Sequence, residues 1–204
     1  MSKRKRPSQR LGVSGQHPPF PRRPGFWIAL GLTALSPGAA SPAAALAAFP
    51  ANINLGDLDG TNGFRLSGVA AYDFSGIAVS TAGDVNGDGL DDLLIGAPGV
   101  DPHGERSGAS YVVFGAAGLG AGGNLELSAL DGTNGFRLSG AEDDQSGAAV
   151  STAGDVNGDG VDDLLIGARL ADPNGYSSGA SYVVFGGTGV GSGGNLELSA
   201  LNGT

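Results

Sequence analysis

The chain has no cysteine, and almost no positive charge beyond its first two dozen residues. Without cysteine there is no disulfide, thiolate nucleophile or thiolate metal ligand, so whatever fastens the fold must come from packing or from a metal bound through oxygen. Of eleven basic residues, seven (Lys3, Arg4, Lys5, Arg6, Arg10, Arg22, Arg23) precede residue 24. From residue 48 onward, Arg65, Arg106, Arg137 and Arg169 oppose all twenty acids, a balance of −16. Such a surface repels phosphate backbones and anionic lipid and attracts cations, which excludes nucleic acid as a partner. Histidine is as scarce. Beyond residue 17 only His103 remains, in a turn whose duplicate carries Asn174, so it is read as an exposed turn residue and not a general base. Ser107 and Ser178 have no histidine at a repeated position to activate them. No catalytic constellation is present in the sequence, and the expectation is a non-enzyme.

Long apolar runs are also missing. Phe26 to Leu35 is uncharged and mostly apolar, but ten residues are too few for a membrane-crossing helix, which needs about 20. A basic start, this short run and the small-residue stretch Ala45-Leu46-Ala47 together read as a secretory signal peptide over residues 1–47. Arg22-Arg23 suggests a twin-arginine signal, yet Pro24-Gly25-Phe26 fits that pattern poorly and a Sec-type signal is favoured. The expected product is exported, with no transmembrane span, to the periplasm, cell surface or medium.

What the chain has in excess is glycine, 39 of 204 residues, placed at turns within a long repeat. Gly60–Gly68 returns as Gly132–Gly140, Ala78–Gly89 as Ala149–Gly160, Ser107–Gly115 as Ser178–Gly186, and Gly122–Leu130 as Gly193–Leu201. The period is 71 residues, or 72 before a one-residue contraction near Asp143. It divides the region 48–204 into a first unit of about 52–123, a second of about 124–194 and the start of a third at 195–204.

Short runs of branched and aromatic residues bounded by Gly, Asn, Asp and Pro predict strands at Ala78–Ala82, Leu93–Ala97, Ser110–Phe114, and Phe64–Leu66 with its copy Phe136–Leu138. Asn124–Leu130 fits either a strand or a single helical turn. Leu93-Leu94-Ile95 and Tyr111–Phe114 are continuously apolar, the mark of strands covered on both faces. Four-stranded sheets covered on both sides and repeated at a fixed interval predict an all-β fold of β-propeller blades. About two blades are present, an incomplete ring. A calcium-binding β-roll is the alternative, but its repeats are far shorter than 71 residues.

Between the first two predicted strands of each unit stands Asp84-Val85-Asn86-Gly87-Asp88-Gly89-Leu90-Asp91-Asp92, repeated as Asp155–Asp163. Oxygen side chains fall at positions 1, 3, 5 and 9, and glycines at 4 and 6 allow left-handed backbone angles. That alternation suits a loop wrapped round a hard cation such as Ca²⁺, which takes oxygen ligands. An EF-hand would place glutamate at position 12, where Ile95 and Ile166 stand, so this is a shorter loop leading directly into a strand. Mg²⁺ suits the loop less, because it prefers octahedral sites that retain several waters. Asp91 and Asp162, at position 8, read as solvent-facing groups or as groups that orient a ligand. Glu142-Asp143-Asp144 reads as an exposed acidic turn.

Phe74-Ser75-Gly76, the D-x-N-x-D-G-x-x-D loop and Gly96-Ala97-Pro98 together resemble the FG-GAP repeats of integrin α-subunit propellers and their bacterial relatives, over about residues 52–204. The resemblance implies that each loop joins the first two strands of a blade and holds one Ca²⁺, two in all. The implied ligands are the side chains of Asp84, Asn86, Asp88 and Asp92 with the carbonyl of Leu90. In the second loop they are those of Asp155, Asn157, Asp159 and Asp163 with the carbonyl of Val161. The second unit departs from the pattern, with Gln145 in place of the phenylalanine and Arg169 in place of the proline. The family closes a ring of seven blades, and this chain supplies about two. The resemblance implies a secreted or cell-surface adhesion module that binds a protein or glycan ligand, and that meets further blades or copies of itself. A non-catalytic segment of a larger secreted hydrolase or lyase, or a truncated gene product, is the alternative.

Overall fold

The computed structural model describes residues 52–201. The expected signal peptide and the last three residues of the third unit's start, 202–204, lie outside the described residues. Among the described residues no helix is long and apolar enough to cross a membrane. The described residues form ten strands: β1 (Arg65–Ser67), β2 (Ala78–Gly83), β3 (Asp92–Ala97), β4 (Ala109–Val113), β5 (Asn124–Glu126), β6 (Gly135–Ser139), β7 (Ser146–Gly154), β8 (Asp163–Ala168), β9 (Ala180–Val184) and β10 (Asn195–Glu197). Three single-turn 3₁₀ segments, Leu55–Asp57, Leu127–Ala129 and Leu198–Ala200, complete the regular structure. The fold is all-β, and its open sheets are those of an incomplete β-propeller.

The first blade has the strand order β10-β6-β4-β3-β2 and the second β7-β8-β9, while β1 and β5 form a separate parallel pair. Along β6-β4-β3-β2 and β7-β8-β9 the pairing is antiparallel and the register repeats: Leu93 faces Val113 as Leu164 faces Val184. Among the described strands the parallel pairs are β6–β10, at the edge of the first blade, and β1–β5. The fourth strand of the first blade is therefore β6, supplied from beyond Asn124. The sheet is out of phase with the sequence period, and β6 belongs to the blade before the loop it precedes. Asn124–Leu130 takes both of the forms open to it, a three-residue strand followed by a 3₁₀ turn that buries Leu127.

Two apolar cores result. One lies between the blades, where Leu94, Val112 and Phe114 of the first meet Leu164, Ile166 and Val184 of the second, with Phe136 and Leu138. The Phe114 and Phe136 rings stand 5.8 Å apart at 54°, within the range of favourable tilted aromatic contacts. The other core gathers Ile95, Tyr111, Val113 and Leu127 on the opposite face of the first blade. Burial on both faces holds for β4, where all five residues are buried. It fails for β9, the same Ala-Ser-Tyr-Val-Val sequence, where burial alternates and Val183 is 43% exposed. Nothing among the described residues covers the outer face of that blade, so identical residues meet water on one side.

Candidate metal centre

Strand β2 ends in a register shift between Thr81 and Gly83, and β7 in the same shift between Thr152 and Gly154. An irregularity there turns the chain out of the ladder into the acidic loop. Gly87 and Gly89 then take φ of 77° and 88°, and Gly158 and Gly160 take 80° and 89°. These are left-handed angles that side chains resist, as the glycine spacing predicts.

The loop curls round its first aspartate. Asp84 Oδ1 accepts the N–H groups of Gly87 and Asp88 at 2.8 and 3.0 Å, and Oδ2 accepts that of Gly89 at 2.9 Å. Asn86 Oδ1 accepts from Asp88 N–H at 2.8 Å, while its amide nitrogen donates to Asp88 Oδ2 at 3.0 Å. Asp88 Oδ1 in turn accepts from Leu90 N–H at 2.8 Å. Positions 1, 3 and 5 are thus drawn together on an exposed loop. The second loop repeats the set: Asp155 accepts from Gly158, Asp159 and Gly160, Asn157 bonds Asp159 both ways, and Asp159 accepts from Val161.

The ninth position behaves differently. Asp92 is fully buried at the foot of the loop, where Oδ2 accepts Val85 N–H at 3.0 Å and Oδ1 accepts Gly115 N–H at 2.8 Å. One carboxylate thereby ties the loop, the start of β3 and the exit of β4. Asp163 does the same with Val156 and Gly186, both at 2.9 Å. Burial pushes the Asp92 carboxyl above its ordinary value, against the pull of these two N–H groups, and the nearby negative charges of Asp88 and Asp84 push the same way.

Among the described residues no three Asp, Glu, His or Cys side chains gather into a metal-holding group by themselves. A cation here would draw also on the Asn86 amide oxygen and on main-chain carbonyls, an all-oxygen donor set of the kind that suits a hard ion. The residues fit such an ion in type and in being gathered on one loop. Leu90 is exposed, and Val161 is half-buried where the second loop lies against the first blade.

One contact was not legible from the sequence. Asp162 Oδ2 accepts the N–H of Asp84 at 3.0 Å, and Asp162 N–H donates to the carbonyl of Asp84 at 3.1 Å. The residue at position 8 of one loop thus orients the first residue of the loop before it, across the blade boundary. Its counterpart Asp91 is exposed. Position 8 of the second loop thus holds the backbone of the preceding loop, whereas position 8 of the first loop meets solvent.

The opposite rim carries the remaining polar features. There the phenylalanine and proline positions of the first unit (Phe74, Pro98) border a recess of about 290 Å³ with Ile77, Gly99 and Arg106. Their counterparts Gln145 and Arg169 line the same recess and bond to each other, Arg169 Nε donating to Gln145 Oε1 at 2.7 Å. Both departures from the repeat are therefore one exchange, an apolar pair for a hydrogen-bonded pair. Tyr72 and Tyr176, 82% and 95% exposed, stand in the connections of this rim. His103 is exposed in its turn, as expected, and its Nε2 lies 2.7 Å from Glu197 Oε2. The acidic turn needs correction at its last residue. Glu142 and Asp143 are exposed, and Asp143 pairs with Arg106 at 2.8 Å. Asp144 is the counterpart of the buried Asp73 and is itself half-buried, with burial raising its carboxyl above the ordinary value.

Comparison with known proteins places the repeat. The FG-GAP repeat family matches residues 75–113 and 146–184. Similar proteins include Integrin alpha-PS2 of Drosophila melanogaster, 37% identical over 130 residues that make up 61% of this chain and 9% of that protein. Human Integrin alpha-6 is 36% identical over 107 residues, 50% of this chain and 9% of that protein. Integrin alpha-8 of Gallus gallus is 33% identical over 142 residues, 62% of this chain and 12% of that protein. The chain spans about a tenth of the length of these relatives.

Proposed function

Because the chain carries two FG-GAP repeats and is integrin α-like across them, we propose that it is a calcium-binding β-propeller module of an exported protein, working in adhesion or recognition. One observation carries the calcium reading. Two loops of identical donor pattern draw Asp84, Asn86 and Asp88, and again Asp155, Asn157 and Asp159, together between the first two strands of each blade. With Asp92, Asp163 and the carbonyls of Leu90 and Val161, these residues would hold one Ca²⁺ per loop. The ion supplies positive charge where three aspartates otherwise repel one another, and its role is structural.

Asp92 and Asp163 connect the metal to the fold. Each clamps the loop to the exits of two strands through backbone N–H groups, so an ion that favours the ionised loop also favours the closed blade. A chain without disulfides gains its fastening in this way. The recognition surface proposed here is the rim away from the loops, where the exposed Tyr72 and Tyr176 and the arginine-lined recess offer aromatic and cationic contacts to a protein or glycan.

Calorimetric titration with Ca²⁺, paired with thermal melting, tests the central claim. The expected result is two ions bound per chain and a melting temperature that rises with calcium concentration and falls on chelation. An unchanged melting temperature at millimolar calcium, with no heat of binding, sinks the reading.

A further inference from the structure

The first blade is finished by elements that have no counterpart on the second among the described residues, and a further copy of those elements stands at β1–β5. Strand β6 closes the first blade by pairing with β4 on one side and β10 on the other. The counterpart of β4 is β9, and among the described residues nothing pairs with its outer edge. The counterpart of the β6–β10 pair is β1–β5, which packs on the first blade through Leu66 and Leu125 but shares no ladder with either blade. The β1 segment Gly63-Phe64-Arg65-Leu66-Ser67 is identical to the β6 segment Gly135-Phe136-Arg137-Leu138-Ser139.

The faces show the same relation. Leu94, Val112 and Phe114 bury one face of the first blade against the second, but their counterparts Leu165, Val183 and Phe185 are 38%, 43% and 51% exposed. On the far side of the first blade Val79 is 68% exposed, whereas its counterpart Val150 packs into the core between the blades. The outer face of the second blade thus repeats one half of an interface that the molecule already builds once internally, and the far side of the first blade repeats the other half, with Ile95, Tyr111 and Val113 packed under Leu66, Leu125 and Leu127 and Val79 left open. The polar clasp is duplicated too: Asp162 bonds the N–H of Asp84, leaving Asp91 and the N–H of Asp155 as the unused halves of a second clasp.

We propose that the chain assembles head to tail, the outer face of the second blade in one copy docking on the outer face of the first blade in another. The second copy's β1 then supplies the fourth strand to β9, as β6 does to β4. Its Phe64 meets Phe185 as Phe136 meets Phe114, and its Asp91 accepts the N–H of Asp155. A second copy is the occupant argued for because both complementary faces lie on one chain. The internal blade contact shows how the counterparts of these faces pack, and the new interface repeats it. Residues 52–57 of the incoming copy duplicate the place of 195–200, and their 3₁₀ turn buries no residue, so displacing the segment uncovers no core residue of that turn. Such an interface is heterologous and closes into a ring or runs on as a filament.

Sedimentation of the chain over a micromolar range, with and without two surface substitutions, tests this. Wild type is expected to grow with concentration into species larger than a dimer. Val79→Asp and Val183→Asp, each at an exposed position, should each remain monomeric, the association weakened roughly a hundredfold or more by a charge buried in an apolar contact. Far-UV circular dichroism checks that both variants keep the blade fold, and Phe185→Asp replaces Val183→Asp should that variant unfold. Mixed in equal amounts, the two variants should form a 1:1 dimer and nothing larger, since each retains the face the other has lost. A wild type that stays monomeric throughout, as it would if another partner or a further segment covers these faces, overturns the proposal. So does association that neither substitution weakens, or a mixture that forms no dimer.

Discussion

The carboxylate of Asp162 accepts the backbone N–H of Asp84 at 3.0 Å, from 78 residues away in sequence. The return bond from Asp162 N–H to the Asp84 carbonyl makes this a two-point clasp between neighbouring loops. Gly83 lies so close that a Cβ there would strike the Asp162 carboxylate. A charge-assisted hydrogen bond of this kind contributes about 1.5–3 kcal/mol. Asp162→Ala is therefore expected to lower the stability of the dilute chain in urea unfolding by about that amount. Asp91→Ala, which changes the same position of the first loop, should shift it by less than about 0.5 kcal/mol. Equal effects of the two substitutions would show that the clasp adds nothing.

Identical residues in the two units should respond differently to the same substitution. Leu94 is fully buried between the blades, and its counterpart Leu165 is 38% exposed. Leu94→Ala removes methyl groups from a packed core and is expected to cost about 2–5 kcal/mol. Leu165→Ala, in the dilute chain, should cost no more than about 1 kcal/mol. Parallel denaturant titrations at concentrations where the chain is monomeric compare them.

These contrasts mark how far the sequence reaches. Strands β2, β3 and β4 were legible because branched and aromatic runs between turn residues have few other conformations open to them. The loop was legible for the same local reason, since Gly87 and Gly89 sit where the backbone must turn left-handed. What lay beyond reach depends on neighbours in space. Val112 is buried and Val183 is not, although both lie in the same Ser-Tyr-Val-Val-Phe run, because cover comes from the adjoining blade. The assignment of β6 to the preceding blade, the reach of Asp162 to Asp84 and the shelter of Asp144 are likewise contacts between units, which a repeat read one unit at a time does not display.

Gln145 and Arg169 replace Phe74 and Pro98 together, and the 2.7 Å bond between them gives the reason. Changing one alone leaves an arginine without its acceptor or an amide without its donor at the rim of an apolar recess. Gln145→Phe and Arg169→Pro are each expected to destabilise the chain, and the double variant to recover part of the loss. The coupling energy should be about 0.5–1.5 kcal/mol, as for a single partly exposed hydrogen bond. A double-mutant cycle by urea unfolding measures it, and additivity within error would separate the two residues.

The turns before β1 and β6 give the chain a defined acid response. Asp131 Oδ1 accepts from the Thr133 hydroxyl at 2.6 Å and its N–H at 2.9 Å, and Asp59 is held the same way by Thr61 at 2.7 and 2.9 Å. These bonds favour the anion, the hydroxyl first and the N–H second, and hold both carboxyls below the ordinary value of 3.8. A carboxyl whose folded value is depressed binds its proton less readily when folded than when unfolded. Its contribution to stability is thus fully present above the ordinary carboxylate range and is lost as the pH falls through the lowered folded value. Thr133→Val removes the larger of the two causes. The Asp131 carboxyl, followed by NMR titration, should move up toward 3.8 while Asp59 stays in place. Melting curves of the variant should converge on those of the wild type below that range, where both carboxyls are protonated in either state, and fall beneath them above it. A variant whose deficit persists undiminished at the acid end would assign the role of Thr133 to packing and not to the charge of Asp131.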